Sequence, residues 1–199
     1  MQAFEETKEW LMGDKSQQRW AHIVADRGGV VLPTYGMQEV DATTKAPVLF
    51  HKDGILVVPD LLVMSKKNPP RWHEVKAKTC PTWRRFYPGP RWEHGIDYSL
   101  MKEYQEVERI SGSKVVIVVH ESASPVNPKE IMVSEQDDLK GEEKWLWMSL
   151  DKCRAVGQAR PKWPGGNRRS RRNEGGWLWA RAEMNEFADA TSRTVVELK

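Results

Sequence analysis

Residues 55–78, "ILVVPDLLVMSKKNPPRWHEVKAK", place charged side chains within two apolar, strand-like runs. Asp60 lies in the first run, and Glu74 and Lys76 lie in the second. Residues two apart on a strand share a face, so Glu74 and Lys76 point the same way. If the two runs pair as neighbouring strands, the carboxylates of Asp60 and Glu74 come close together, and their repulsion costs free energy when they are partly buried.

This arrangement predicts a metal-dependent hydrolytic site. A divalent cation would relieve the repulsion, and a ligand set of carboxylates without Cys or His favours a hard ion, Mg²⁺ or Mn²⁺. The backbone carbonyl of Val75 could supply a further ligand. Lys76 beside the ion could orient or deprotonate a water and offset negative charge in the transition state at phosphorus. A metal ion, a water and an ammonium group beside a basic groove fit hydrolysis of a phosphodiester.

The acid-x-Lys pattern is weak by itself, because it occurs five times in the chain. Only the Glu74/Lys76 instance follows a hydrophobic strand with a Pro-Asp pair, across a short loop, and continues into a basic segment. The other four lie in helix-like, polar or terminal surroundings. The alternative interpretation is an edge-strand Asp60 beside an exposed Glu74–Lys76 ion pair without a catalytic role.

Basic residues are concentrated in two segments. Residues 61–92 carry +7 and residues 151–176 carry +6, whereas the whole chain carries +3, so the rest carries −10. Such segregation suits a polyanion that contacts one face of the protein. Two solvated loops are the alternative. We predict DNA as the partner, with phosphate contacts from Lys78, Arg84, Arg85, Arg91, His94, Arg168, Arg169, Arg171 and Arg172.

The composition fits a single domain over residues 1–199, since 39% of the 199 residues are hydrophobic. Residues 157–176 form a basic, Gly- and Arg-rich insertion in that domain. Cys80 and Cys153 lack CxxC spacing, which argues against a zinc site or a disulfide scaffold and favours a reducing, cytoplasmic setting. We expect no membrane span and no signal peptide, because no apolar run approaches ~18 residues and the N-terminal segment is polar.

Residue periodicity predicts an α/β fold. A first helix ends at Gly28-Gly29, and a second runs from an N-cap at Asp97 to Gly112, with Tyr104 at a core position. Asp53-Gly54 marks a hairpin. The predicted strands are "VVLPTY", "APVLF", "ILVVPDLLV", "RWHEVKAK", "KVVIVVH", "WLWMSL" and "WLWAR". Residues 79–95 are predicted to be a loop, and "AEMNEFADA" a short helix.

In this order and setting, Pro59, Asp60, Glu74, Val75 and Lys76 resemble the PD-(D/E)xK nuclease superfamily. Holliday junction resolvases, RecB-type exonucleases, restriction enzymes and phage endonucleases belong to it. The resemblance covers roughly residues 13–121. It implies a restriction-endonuclease-like central mixed β-sheet flanked by helices, with Asp60 and Glu74 as metal ligands and Lys76 as the catalytic residue.

The first helix departs from the pattern of this superfamily. Many relatives carry a metal-binding Glu on that helix, and here Gln17 holds the place, or Gln18 if the register shifts by one. A neutral amide is a weaker ligand than a carboxylate, so both one and two metal ions are compatible with the sequence.

Two functions follow from these residues. The first is a Mg²⁺-dependent deoxyribonuclease, favoured by intact Asp60, Glu74 and Lys76. The second is a non-cleaving nucleic-acid-binding module, for which Gln17 leaves room. The residues are compatible with endo- and exonuclease action and with DNA or RNA, and a long basic loop favours branched or flapped DNA. Resolvases of this fold act as dimers, which implies a homodimer, although the sequence shows no exposed apolar interface pattern.

Overall fold

A six-stranded mixed sheet forms the centre of the described structure. The computed structural model describes residues 8–34, 47–52, 54–78, 82–84, 91–122, 143–160 and 175–187. The helices in these ranges are α1 (Lys8–Asp26), α2 (Tyr98–Ser111) and α3 (Leu150–Val156). The strands are β1 (Val30–Pro33), β2 (Val48–His51), β3 (Gly54–Val57), β4 (Leu61–Met64), β5 (Arg71–Lys78), β6 (Thr82–Arg84), β7 (Arg91–Asp97), β8 (Lys114–Glu121), β9 (Lys144–Ser149), β10 (Gln158–Arg160), β11 (Gly176–Ala180) and β12 (Asn185–Glu186).

The strands form three sheets within the described ranges. The central sheet has the order β1-β4-β5-β8-β9-β12, in which β5 and β8 are parallel and the other neighbours are antiparallel. A second, antiparallel sheet has the order β10-β11-β7-β6, and β2 and β3 pair as a hairpin. The helix α2 connects β7 of the second sheet to β8 of the central sheet. The fold is therefore mixed α/β, as the sequence predicted.

Each face of the central sheet covers a separate part of the core. Trp72 on β5 packs with Val115, Ile117 and Val119 of β8 against α2 and the second sheet. The alternate residues, including Val75, pack against Trp20 of α1. Burying an aliphatic side chain stabilises the fold by about 1.5–3 kcal/mol. Because the strand side chains alternate between faces, Glu74, Lys76 and Lys78 lie on the α2 face with Trp72.

Two buried polar contacts hold α1 on the opposite face. The Trp20 Nε1–H donates to His73 Nδ1 at 2.9 Å, and burial lowers the pKa of His73 to about 4, which keeps it neutral and able to accept. Further along, Ser16 Oγ lies 2.7 Å from His120 Nδ1 of β8. The His120 Nε2 is in turn 2.6 Å from Glu143 Oε1, which also pairs with Arg19 of α1.

The structure confirms several predicted elements and corrects others. The predicted strand "RWHEVKAK" coincides with β5, and α2 begins after Asp97 and ends at Gly112 in the left-handed conformation. The run "ILVVPDLLV" is two strands, not one, because Val58 to Asp60 interrupt it before β4 joins the central sheet. Within the predicted loop at residues 79–95, residues 82–84 form strand β6 and residues 91–95 belong to strand β7.

The last part of the chain also differs from the prediction. A helix, α3, follows β9 directly, with Ser149 accepting a hydrogen bond from the Lys152 backbone N–H at the helix start. Where a helix was predicted near residue 182, the chain forms a 3₁₀ turn (Arg181–Glu183) and then β12. The prediction of a single domain over residues 1–199 stays a prediction, and most of the 157–176 insertion lies outside the described residues. None of the described helices combines the length and apolarity required to cross a membrane.

Candidate active site

The site begins with the pairing of β4 and β5. These strands are antiparallel, and Leu61 pairs with His73. Continuing this register by one residue places Asp60 opposite Glu74. The Val75 backbone N–H donates to Asp60 Oδ2 at 2.8 Å, so the Asp60 carboxylate turns toward β5. The Asp60 and Glu74 carboxylates are therefore neighbours across the two strands, which is the arrangement on which the predicted site depends.

Two other segments hold Asp60 in place. After β1, the Thr34 N–H donates to the Asp60 carbonyl at 2.9 Å, and Thr34 Oγ1 donates to the Pro59 carbonyl at 2.7 Å. From α1, the Gln17 side chain donates a hydrogen bond to the Asp60 carboxylate. The predicted first-helix residue thus contacts the predicted ligand, although it contributes an amide and no negative charge.

The electrostatics of Asp60 are those of a crowded acidic site. Burial, and next the charge of Glu74, raise the pKa of Asp60 to about 8. The Lys76 ammonium and the hydrogen bonds from Val75 and Gln17 act in the opposite direction but do not overcome these effects. Two ionised carboxylates are therefore unfavourable here without a further positive charge.

Lys76 supplies part of that charge. Its ammonium pairs with Glu74, whose side chain is 4% exposed, while the Lys76 side chain is 30% exposed. Burial acts to lower the pKa of Lys76, but the charges of Glu74 and Asp60 outweigh it and raise the pKa above the ordinary value. Lys76 is therefore a fixed cation, suited to orienting a water or stabilising negative charge. Of the two roles predicted for Lys76, this favours orienting a water over deprotonating it.

Tyr104 of α2 also reaches this site. Its ring is 2% exposed in the core, and its O–H donates a hydrogen bond to the Glu74 carboxylate. Burial, and next the charges of Glu74 and Asp60, raise the pKa of Tyr104 well above its ordinary value, so it remains a donor. The sequence indicated a core residue from its helical spacing. Its contact with Glu74 was not predicted, because spacing does not show where the hydroxyl lies.

Asp97 lies beside two lysines at the end of β7. It occupies the N-cap position of α2, as predicted, but its side chain makes no capping hydrogen bond. Its charge acts to raise the pKa values of both Lys76 and Lys78. For Lys78, burial and the Lys76 charge outweigh that effect and lower the pKa. The sequence suggested only a capping role for Asp97.

The donor set at this point fits a hard divalent cation. Asp60 and Glu74 offer carboxylate oxygens that repel each other, and the amide of Gln17 is adjacent. Within the described ranges, no group of three or more His, Cys, Asp and Glu side chains converges. The described side chains thus offer two carboxylates that could act as ligands of such an ion.

The residues predicted to bind nucleic acid have different positions. Lys78 lies on the same face as Lys76, and Arg91 is paired with Glu93 at 2.8 Å. The His94 side chain is 1% exposed and bonded to Glu121, so its burial does not support the predicted phosphate contact. Outside the side chains that the structure describes are Arg84, Arg85, Arg168, Arg169, Arg171 and Arg172.

No protein-family model matches the sequence, and no curated protein matches it. Among solved structures, the chain is similar to Hjc, a Holliday junction resolvase of the archaeal hyperthermophile Archaeoglobus fulgidus. The TM-score is 0.47 and the sequence identity is 8%, with 90% of this chain and 99% of that chain covered.

Proposed function

We propose that this protein is a divalent-cation-dependent nuclease that hydrolyses phosphodiester bonds of DNA. The observation that carries the proposal is the meeting of Asp60 and Glu74 across β4 and β5, with the Lys76 ammonium on Glu74. Asp60 and Glu74 would hold Mg²⁺ or Mn²⁺, and the Val75 carbonyl is the proposed additional ligand. The repulsion between the two carboxylates supports this assignment, because a cation relieves it.

The chain's own residues would contribute positioning and charge. A bound cation would supply Lewis-acid activation of the phosphodiester and of water. Lys76, held as an ammonium, would stabilise the negative charge that develops on the phosphate oxygens. Gln17 and the Val75 N–H fix the Asp60 carboxylate, and Tyr104 fixes that of Glu74.

Binding of DNA beside this site is supported by the arrangement of the second sheet. Gly176 of β11 pairs with Asp97 of β7 and with Arg160 of β10. The described ends of the basic insertion therefore lie next to Asp97, whose charge acts on Lys76 and Lys78. We propose that Lys78 and the arginines of the insertion contact phosphates, with branched or flapped DNA as the favoured substrate and a homodimer as the active form.

A second candidate is a nucleic-acid-binding module that does not cleave. Gln17 favours it, because a neutral amide contacts Asp60 where a third carboxylate would strengthen cation binding. The two functions differ in one measurable respect: only the nuclease loses an activity when the cation is removed.

The test compares Lys76→Ala with Lys144→Ala on duplex, single-stranded, flapped and four-way-junction DNA and on RNA, each with Mg²⁺, Mn²⁺ or EDTA. Lys144 is a matched control, since it also follows an acid-x-Lys pattern and its side chain is 33% exposed. We expect Lys76→Ala to lower the cleavage rate by about 10²–10³-fold and Lys144→Ala to leave it unchanged.

Cleavage that persists in Lys76→Ala, or in EDTA, would show that the assigned mechanism is wrong. If the wild-type protein cleaves none of the substrates but retains DNA on a gel, the non-cleaving module is the correct function.

A further inference from the structure

Glu121 is the last residue of β8 and lies on the α2 face of the central sheet, the face that carries Glu74 and Lys76. It alternates with Val119 and Ile117, which face α2, and it pairs with Lys78 in the parallel register between β5 and β8. Its side chain is 7% exposed. An ionised carboxylate at such a position requires strong partners.

Those partners come from the second sheet. Arg181 follows β11 directly and donates from Nε and Nη2 to the two oxygens of Glu121, each at 2.7 Å. His94 Nε2, on the neighbouring strand β7, lies 2.7 Å from Glu121 Oε1. The hydrogen bonds from His94 and Arg181 outweigh burial and lower the pKa of Glu121 to about 2, so it is a carboxylate at neutral pH. We call Glu121, His94 and Arg181 the Glu121 clamp.

The Glu121 clamp joins the central sheet to strands β7 and β11 of the second sheet. His94 pairs with Trp179 in the middle of the second sheet, and Asp97 lies three residues further along the same strand. Asp97 is opposite Gly176, where the described part of the chain resumes after the insertion. A displacement of β7 or β11 would therefore move Asp97 and the flank of the insertion relative to Lys76 and Lys78.

We propose that the Glu121 clamp fixes the second sheet against the catalytic strands, and that this position determines the affinity for nucleic acid. This inference rests on the proposed nuclease function and assigns positioning roles to Glu121, His94 and Arg181. Asp60, Glu74, Gln17 and Tyr104 belong to other elements, so the chemical step keeps its groups when the clamp is weakened. The expected signature is a change in substrate binding without a change in turnover.

The experiment measures kcat and KM for duplex DNA with Mg²⁺, and the Kd for the same DNA in EDTA, in Glu121→Gln and Arg181→Lys. Both variants keep the side-chain size but lose the two-point ion pair. We expect KM and Kd to rise about tenfold or more, since breaking a buried charge pair that fixes a binding surface costs more than about 1.4 kcal/mol. The value of kcat should stay within about twofold, a change of less than 0.5 kcal/mol in the barrier.

Glu143→Gln is the matched control. Glu143 also pairs with a histidine and an arginine, His120 and Arg19, but on the α1 side of the central sheet. We expect this variant to lose thermal stability while KM and Kd stay unchanged. An equal rise of KM in Glu143→Gln would overturn the inference, because general loosening would then explain the effect.

The outcomes separate the two proposals. If the wild-type protein does not cleave, the nuclease function fails, and the Kd values in EDTA still judge the clamp. If it cleaves, but both clamp variants keep the wild-type KM and Kd, or lose kcat at constant KM, the clamp inference is wrong and the nuclease function stands. Should Glu121→Gln lose its circular-dichroism signal, Arg181→Lys decides, because Arg181 is 21% exposed and the more tolerant position.

Discussion

Asp60 depends on three parts of the chain that are distant in sequence. The Val75 amide, the Gln17 side chain and the Thr34 amide all bond to it, one from β5, one from α1 and one after β1. The Val75 and Gln17 bonds reach the Asp60 carboxylate and the Thr34 bond reaches its backbone carbonyl, so the carboxylate has little freedom to turn away from Glu74. At the scale of the residue, hydrogen bonds therefore fix the carboxylate of the proposed cation site without a bound ion.

Gln17→Glu should strengthen cation binding. It places a third carboxylate against Asp60, which repels it without a cation and adds a ligand with one. We expect the variant to be less stable in EDTA and to bind Mn²⁺ about tenfold more tightly, equivalent to ~1.4 kcal/mol of added stabilisation. Thermal unfolding over a Mn²⁺ titration measures both effects.

Gln18→Glu is the control for that experiment, because the Gln18 amide donates to Asp14 on the exposed side of α1. It adds the same charge to the same helix away from Asp60. An equal response of the two variants would mean that Gln17 has no special relation to the site.

Tyr104→Phe should remove a hydrogen bond to Glu74 while the core stays packed. The ring stays buried, but Glu74 loses a hydrogen-bond donor in an environment where water cannot replace it. We expect a loss of about 1–3 kcal/mol in the free energy of unfolding and a lower cleavage rate. Urea unfolding and steady-state kinetics measure these, with Tyr98→Phe, on the same helix but stacked on Trp177, as the control. Wild-type stability and rate in Tyr104→Phe would contradict the bond to Glu74.

The two helices that border the site contain glycines with different roles. The helix α2 ends at Gly112, whose φ of 67° is in the left-handed region, and the Gly112 N–H bonds to the Glu108 carbonyl. Gly13 instead lies inside α1, where an added Cβ would meet nothing within 4 Å. One glycine is required by its backbone conformation, and the other only weakens its helix.

Replacing each of these glycines by alanine should have opposite effects. Gly13→Ala should raise the free energy of unfolding by about 0.5–1 kcal/mol, because alanine loses less entropy in a helix. Gly112→Ala should lower it by about 1 kcal/mol through strain at positive φ. Chemical denaturation of both variants measures the difference, and a stabilising Gly112→Ala would show that α2 does not end in this conformation.

At the scale of the whole molecule, the buried Glu121 carboxylate and its hydrogen-bond partners join two sheets. His94 of the second sheet and Arg181, which follows β11, both bond to the Glu121 carboxylate of the central sheet. Apolar packing around Trp179, which is fully buried, adds to this contact. The stability of the assembled protein should therefore depend on pH in the range where Glu121 titrates.

Lowering the pH should reduce the free energy of unfolding, because Glu121 becomes protonated. Its pKa is lowered from 4.5 to about 2, so the stabilisation is fully present above pH 4.5 and is lost as the pH falls toward 2. This corresponds to a contribution of about 3 kcal/mol. Urea unfolding between pH 6 and pH 2 should show a steeper loss of stability in the wild-type protein than in Glu121→Gln. Parallel curves for the two proteins would contradict the assignment.

The local features of this protein follow from its sequence alone. Period-two alternation in β5 placed Glu74, Lys76 and Lys78 on one face, because neighbouring side chains on a strand point to opposite sides whatever surrounds them. The sequence also marked both ends of α2. At the C-terminal end, glycine is preferred because the chain turns at positive φ, as it does at Gly112. The α/β class and the residues of the proposed cation site followed from these patterns.

The contacts between distant side chains depend on how the elements pack in three dimensions. Tyr104 reaches Glu74 from the core, Asp97 acts on Lys76 instead of capping α2, and His94 is buried against Glu121 instead of facing solvent. The sequence predicted β11 as a strand but placed β7 largely in a loop, so the pairing of β7 with β11 was not predicted. Only a glycine fits at position 95, because an added Cβ would clash with Leu178 and the Trp177 carbonyl. Such contacts join residues far apart in sequence, so their free energy comes from packing and paired charge that no local pattern records.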